Sequence, residues 1–234
     1  MKKIIAILFI VLLIFSTGKV YAFAMNTGFE TDNMEYEDQQ IFIKNDDLKL
    51  ITEKPPSYSV LCFDVSEDGL IALGSESLDE KIISVYSKDG NFMYGYTFSC
   101  DGSYGIELDG NNLIIYFVRS DVAAMFDEKG NCLELKKIPV TFKNNSYWNN
   151  YVFSKERTVG NSKYSLKNDM GPFNLFASSY SQVIMTASDG SINVIYDVNN
   201  DQLIKTIFVF TGVVLFIAVV LRRILIEFKR NYKL

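Results

Sequence analysis

In Lys81-Ile-Ile-Ser-Val-Tyr-Ser-Lys-Asp-Gly-Asn-Phe-Met-Tyr-Gly-Tyr-Thr-Phe98, two runs of β-branched and aromatic residues flank an Asp-Gly pair. β-branched and aromatic residues favour strands. The Asp-Gly pair favours a tight hairpin turn, because glycine adopts the backbone conformation that such turns require. The stretch therefore predicts a β-hairpin, with Gly95 as the site of a bulge.

Short apolar runs of the same kind continue along the chain, and most of them end in a polar turn. They are Ser57–Asp64, Leu70–Leu73, Tyr104–Leu108, Leu113–Val118, Asp121–Phe126 and Cys132–Lys136. Strands this short, with a turn every eight to twelve residues, are typical of an all-β domain.

The turns also repeat at a regular interval. Val85-Tyr-Ser-Lys-Asp-Gly-Asn-Phe92 aligns with Met125-Phe-Asp-Glu-Lys-Gly-Asn-Cys132, 40 residues later, and looser copies are Ile41–Leu48 and Ile195–Gln202. A period near 40 residues built from four short strands is typical of a propeller blade. The units resemble the blades of NHL-type and TolB-like β-propellers, in which an Asp-Gly turn joins outer strands. The resemblance covers residues 41–200. Its length fits four propeller-like blades, so it implies a partial or four-bladed ring, or a ring completed by a partner; a β-sandwich or meander is the alternative.

The repeat is interrupted between residues 142 and 171, which we interpret as an insertion. This stretch has five basic residues against two acidic ones and contains the single tryptophan of the chain. Aromatic rings beside amides and cations suit recognition of a carbohydrate or an acidic protein partner. Alternatively, the stretch is a connecting strand pair whose rings pack on the sheet. The candidate binding residues are Tyr147, Trp148, Tyr151, Lys155 and Arg157.

The N-terminus, residues 1–24, has the pattern of a secretory signal. Lys2 and Lys3 precede a run of about a dozen apolar residues, which is short for a membrane span. Small residues at Val20-Tyr-Ala22 and Ala22-Phe-Ala24 match the pattern of a cleavage site. We predict a signal peptide, and an uncleaved signal anchor is the alternative.

Residues 203–221 predict a transmembrane helix. The 19 residues carry one charge, on Lys205, and about 20 apolar residues cross a bilayer. The Lys205 ammonium can reach the interface along its flexible stem. Arg222 and Arg223 open a basic tail, residues 222–234, which the positive-inside rule places in the cytoplasm. The alternative is a buried core helix.

The rest of the chain is then extracytoplasmic. We divide it into a flexible acidic leader, residues 25–40, and a β-domain, residues 41–202. From residue 25 to residue 202 there are 27 acidic and 14 basic residues. That balance argues against nucleic acid as a partner, because phosphates require a basic surface. The expected partners are the lipid bilayer and a protein in or at the membrane.

The composition excludes several kinds of catalytic site. The chain has no histidine, so Ser-His-Asp and Cys-His arrangements are absent, and its three cysteines form no CxxC pair. No cofactor or metal is implied. Paired carboxylates could support glycoside hydrolysis in an envelope enzyme, which is the alternative to a non-catalytic binding or scaffold module. The candidate carboxylates are Asp64, Glu67, Asp68, Glu107 and Asp109.

Overall fold

The computed structural model describes residues 24–45, 47–77, 80–176 and 179–232. The predicted signal segment, apart from Ala24, lies outside the described residues. Within the described ranges, the strands form three antiparallel sheets, and a long helix follows them. The predicted class, all-β with propeller-like blades and a C-terminal helix, is confirmed.

Each sheet contains one four-stranded meander, which we call a blade. Blade 1 comprises β3 (Val60–Val65), β4 (Ile71–Glu76), β5 (Lys81–Tyr86) and β6 (Phe92–Phe98). Blade 2 comprises β7 (Tyr104–Asp109), β8 (Asn112–Phe117), β9 (Val122–Phe126) and β10 (Cys132–Lys137). Blade 3 comprises β11 (Glu156–Val159), β12 (Ser162–Lys167), β13 (Gln182–Thr186) and β14 (Ile192–Asp197). In every blade the first strand is innermost, since β3 contacts both β7 and β11.

The remaining elements lie before, between and after the blades. They are β1 (Asp32–Asn33), α1 (Tyr36–Asn45), β2 (Lys49–Ile51), α2 (Phe142–Tyr147), a π-helical turn (Trp148–Val152), a 3-10 helix (Gly171–Phe176) and α3 (Asn199–Tyr232). β2 extends blade 1 by pairing with β6, and β1 extends blade 2 by pairing with β10.

Blade 1 is the middle layer of the body. Its Ile83 and Tyr96 pack against Ile115 of blade 2, and its opposite face, including Phe63, packs against Val183 of blade 3. All five side chains are fully buried. Burying one such apolar side chain stabilises the fold by roughly 1.5–3 kcal/mol. Successive side chains of a strand point to opposite faces of the sheet, so blade 1 presents one apolar face to each neighbouring blade.

The outer face of blade 2 is covered by the leader and by α2. Phe29 is buried, with ring centroids 4.9 Å from Tyr116, 4.6 Å from Tyr147 and 4.8 Å from Trp148. Residues 25–40, expected to be a flexible leader, are therefore packed, and they include β1 and the start of α1. The physical reason is that, within the described ranges, no further blade packs on the outer face of blade 2, so these segments bury it.

The structure of blade 3 differs from the sequence predictions in two respects, the number of blades and the segment that was expected to be an insertion. Residues 142–171 contain β11 and β12, the first two strands of blade 3, in addition to α2. The repeat copy Ile41–Leu48 is mostly α1, and the copy Ile195–Gln202 runs from β14 into α3. The described residues therefore form three blades, which fits the expected partial ring and not the four-bladed one.

The predicted bulge at Gly95 is also corrected. Gly95 pairs in regular register with Ser84, and the irregularity of this ladder lies at Tyr86. A Cβ atom on Gly95 would lie 2.3 Å from the carbonyl oxygen of Ile83 and 3.0 Å from Ile51. Glycine is needed there because the neighbouring strands approach closely.

α3 is the single helix among the described residues that is long and apolar enough to cross a membrane. Its candidate span is Asn199–Phe228, with a mean hydropathy of 2.6 and no part of the most apolar window buried. The prediction of a buried core helix is therefore excluded for residues 203–221. The helix continues without a break through Arg222 and Arg223.

Candidate functional site

The inner strands of the three blades each place one charged side chain in the interior. They are Asp64 on β3, Glu107 on β7 and Arg157 on β11, with 1%, 9% and 5% of their surface exposed. The three side chains point into the packed interior, whereas Glu156, also on β11, is exposed. We call these three residues the inner-strand cluster.

Asp64 and Arg157 form a buried ion pair between blade 1 and blade 3. Arg157 Nε donates to Asp64 Oδ1 at 2.6 Å, and the backbone N–H of Leu108 donates to Asp64 Oδ2 at 2.8 Å. Asp64 therefore connects strands from all three blades. A charge removed from water this completely needs such partners, because its desolvation costs several kcal/mol.

The guanidinium of Arg157 is also held between aromatic rings. Its Cζ lies 4.3 Å from the ring centroid of Tyr151 and 5.4 Å from that of Phe63. Nη1 donates to the carbonyl oxygen of Glu156 at 3.1 Å, whereas buried Nη2 has no hydrogen-bond partner in the structure. Arginine suits this position because its flat cation stacks on rings.

Glu107 is surrounded by hydroxyl groups. Tyr147 donates to Oε1 at 2.9 Å, Thr27 donates to Oε2 at 3.3 Å, and Tyr116 also donates to Oε2. Thr27 belongs to the leader and Tyr147 to α2, so the carboxyl group of Glu107 ties both covering segments to blade 2.

Burial shifts the pKa of each of these acids upward. Desolvation raises the pKa of Asp64, and the Arg157 charge opposes that rise. Desolvation also raises the pKa of Glu107, with hydrogen bonds from Tyr116 and Tyr147 opposing it and the Asp64 charge adding to it. Burial, together with the charges of Asp64 and Glu107, raises the pKa of Tyr151 to about 12. The tyrosine hydroxyls therefore remain protonated donors at neutral pH.

The structure brings four of the five predicted binding residues together in this region. Tyr147 and Tyr151 stack with ring centroids 4.9 Å apart, Trp148 lies 5.6 Å from Tyr116, and Arg157 lies over Tyr151. The three aromatic side chains are half-buried against blade 2. They pack on a sheet as one alternative proposed, although from a helical segment and not from a strand pair.

Lys155, the fifth predicted binding residue, lies apart from the others. Its side chain is exposed, and Nζ lies 5.2 Å from the ring centroid of Tyr180. The residues predicted to flank the membrane all lie on α3: Lys205 is near its start, and Arg222 and Arg223 follow the uncharged run of residues 206–221.

The remaining predicted carboxylates lie at turns or serve structural bonds. Glu67 and Asp68 are exposed between β3 and β4, and Asp109 accepts a hydrogen bond from the backbone N–H of Asn26 at 3.0 Å. Asp64 and Glu107 line neither of the two clefts described for this protein. Both side chains bond groups on other strands or on the covering segments.

The larger cleft lies between α1 and the ends of blades 1 and 2, with a volume of about 770 Å³. Its apolar lining includes Ile41, Phe42 and Phe117. Three ion pairs line it, and they are Lys81–Glu76, Arg119–Asp101 and Lys137–Asp38, at 2.7, 3.1 and 2.7 Å. We call this the α1 cleft; its mixture of apolar and paired charged groups suits a peptide segment.

Sequence reasoning missed the α1 cleft and the pairing within the inner-strand cluster. Asp64 and Arg157 are 93 residues apart, so no local pattern connects them. One signal was present: Asp64 and Glu107 both interrupt strands that are otherwise almost entirely apolar. A charge within a strand of that kind predicts a buried partner.

Comparisons with known proteins give little further information. No protein-family model and no curated protein matches this chain. Among solved structures, one titled "Streptogramin B lyase structure" is similar, with 14% sequence identity and a TM-score of 0.28. That match covers 66% of this chain and 46% of the other, so this chain spans about half the length of that structure. The blade architecture therefore rests on the strand order and packing described above.

Proposed function

We propose that this protein is a membrane-tethered binding module, with its blades outside the cytoplasm and the α1 cleft engaging a protein partner. The observation that carries the proposal is the direct connection between blade 3 and the apolar helix. β14 ends at Asp197 and α3 begins at Asn199, so the blades stand beside any membrane that the helix crosses.

The position of the α1 cleft supports a partner at the membrane. The cleft lies where β4, β8 and β10 end. β14, the outer strand of blade 3, corresponds to β10, and α3 continues from its end. The cleft therefore opens at the end of the body from which the helix leaves. A segment of a second membrane protein would meet it there.

The proposed absence of catalysis is supported by the bonds that the buried carboxylates make within the protein. Asp64 is bonded to Arg157, and Glu107 accepts hydrogen bonds from three hydroxyl groups. Most glycoside hydrolases need two carboxyl groups that reach the substrate, whereas Asp64 and Glu107 connect strands. We also propose that the blades are of the kind found in NHL-type or TolB-like propellers.

The test is a pull-down of the full chain from detergent-solubilised membranes, with two variants of α1. Ile41→Glu places a charge in the cleft, where Ile41 is 59% exposed. Ile43→Glu is the matched control, because Ile43 is 52% exposed on the same helix and does not line the cleft. We expect Ile41→Glu to weaken partner recovery by about tenfold, which corresponds to about 1.4 kcal/mol.

Equal recovery with both variants would remove the α1 cleft from the proposal. Recovery of no stoichiometric partner by the wild-type chain would contradict the binding function itself. Turnover of cell-wall sugars that is abolished by Glu107→Gln would instead favour the enzyme alternative.

A further inference from the structure

We propose that the 3-10 helix Gly171–Phe176 inserts into the bilayer leaflet next to the blades, as a second lipid contact beside α3. This contact would fix the orientation of the blades on the membrane. The proposal rests on the membrane tether described above, and it adds a lipid-binding surface in the loop between β12 and β13.

The junction between blade 3 and α3 is held by hydrogen bonds around Asn199. Asn199 Nδ2 donates to the carbonyl oxygen of Asp169 at 2.7 Å, and Ser181 Oγ donates to Asn199 Oδ1 at 3.0 Å. Val198, the single connecting residue, is 6% exposed. Because the connection is a single buried residue next to these hydrogen bonds, the orientation of the helix determines the orientation of blade 3.

The loop then follows α3 for three turns. Gln202 Nε2 donates to the carbonyl oxygen of Ser179 at 3.0 Å, and Thr206 Oγ1 lies 4.0 Å from Met170 Sδ. One turn further, the ring centroids of Phe173 and Phe210 are 6.0 Å apart in an edge-to-face arrangement. Phe173, which is partly exposed, therefore lies beside the exposed apolar surface of the helix.

Lys205 defines the depth at which this contact occurs. Its ammonium lies 5.9 Å from the ring centroid of Tyr58 and must remain near the interface, because a charge in hydrocarbon is costly. Phe210 lies five residues further along the helix, which corresponds to about 8 Å. The ring of Phe173, beside Phe210, would then reach below the headgroups.

The composition and bonding of the loop are compatible with lipid. Residues 171–176, Gly-Pro-Phe-Asn-Leu-Phe, carry no charge. Backbone polar groups in lipid must be bonded within the protein. Met170 N donates to Asn174 Oδ1 at 2.9 Å, and Phe173 N donates to the carbonyl oxygen of Met170 at 3.2 Å. Asn174 thus satisfies the backbone N–H of Met170, which precedes the 3-10 helix.

The experiment measures tryptophan fluorescence of the full chain in nanodiscs made with or without brominated lipids, which quench nearby indole rings. The wild-type chain provides the baseline, since its single tryptophan, Trp148, packs on blade 2. Phe173→Trp reports on the loop, and Pro172→Trp is a second reporter at an exposed position of the same 3-10 helix. Val213→Trp reports on the middle of α3, and Asp89→Trp reports on a distant turn of blade 1.

We expect the added emission of Phe173→Trp to be quenched more by bromine near the headgroup end of the acyl chain than by bromine near its methyl end. Val213→Trp should show the opposite order, and Asp89→Trp should show no quenching beyond the baseline. Quenching of Val213→Trp without quenching of either loop reporter would overturn this proposal and leave the tether intact. Absence of quenching at Val213→Trp would overturn the tether itself.

Discussion

At the residue scale, the two buried acids differ in how their charge is balanced. Asp64 has a cationic partner in Arg157, whereas Glu107 is held by hydroxyl groups, which supply hydrogen bonds but no net charge. Loss of a partner therefore has different consequences at the two positions. At Asp64 it leaves an uncompensated charge, and at Glu107 it changes how stability depends on pH.

Glu107 makes the stability of the body dependent on pH. Because burial raises its pKa, the folded chain binds this proton more tightly than the unfolded chain. The stabilisation is complete below the ordinary pKa of glutamate, about 4.3, and is lost as the pH rises through the raised pKa. We expect the decline to be smaller in Glu107→Gln, measured by denaturant unfolding across pH 4 to 8. Parallel profiles for the two proteins would contradict the expectation.

Arg157 can be tested by a double-mutant cycle with Asp64. Arg157→Met alone leaves Asp64 buried without its cation, which costs about 3–5 kcal/mol. In the double variant Asp64→Leu/Arg157→Met neither charge remains, so most of that loss should be recovered. The measurement is the free energy of unfolding of the full chain in detergent. The cycle also needs Asp64→Leu alone, and a double-variant cost equal to the sum of the two single costs would show that the pair is not coupled.

At the element scale, the helical cover of blade 2 depends on a glycine in β7. A Cβ atom on Gly105 would lie 2.2 Å from Val152 Cγ1 and 3.5 Å from the Trp148 ring. Gly105→Ala should therefore destabilise the fold by about 1–3 kcal/mol, as overpacking usually does.

A second substitution can show whether the loss of stability comes from the steric clash or from a general effect of alanine in the strand. Val152→Ala removes the atom that the new methyl group meets, so the cost of Gly105→Ala should be smaller in that background. Thermal unfolding of the four proteins in the cycle measures the difference. Equal costs in both backgrounds would place the cause elsewhere in β7.

The hairpins of blades 1 and 2 could be predicted from the sequence because their signals are local. β5 and β6 have the predicted bounds, Lys81–Tyr86 and Phe92–Phe98. In the similar turn between β9 and β10, Asp127 Oδ1 accepts from the backbone N–H groups of Lys129 and Asn131, at 3.0 and 2.8 Å. Such turns form from a few adjacent residues, and the sequence displays them directly.

The covering helices were not predicted, because their patterns are ambiguous and their packing is distant. Ile41, Phe42 and Ile43 form a short continuous apolar run, which fits a strand as well as a helix. In the structure Phe42 lies on a helix and packs on Phe117 of blade 2, with 5.0 Å between the ring centroids. In α2 the helix start is capped, since Asn144 N donates to Thr141 Oγ1 at 3.1 Å. The five predicted binding residues follow from the aromatic and basic composition of their segment. Composition cannot reveal that Trp148 faces blade 2.

At the scale of the whole molecule, the three blades form a stack with unequal ends. The face of blade 2 that points away from blade 1 is covered by the leader and α2, whereas blade 3 leaves Ile192 and Val194 64% and 49% exposed on its outer strand. Because α3 continues directly from that strand, a motion of the helix in the membrane would be passed to the blades as a rigid unit. Under the proposed function, a tether of this kind would present the α1 cleft at a constant distance from lipid.

The charges at the end of the apolar run of α3 also predict on which side of the membrane the blades lie. Arg222 and Arg223 follow the apolar part of α3, and a cytoplasmic location of these residues places the blades outside. We expect protease added to intact cells to degrade the blades, and carbonate washing to leave the chain in the membrane fraction. Arg222→Glu/Arg223→Glu should increase the protease-resistant fraction, because it weakens the bias that orients the helix. Blades that resist protease in intact cells with the wild-type chain would reverse the proposed orientation.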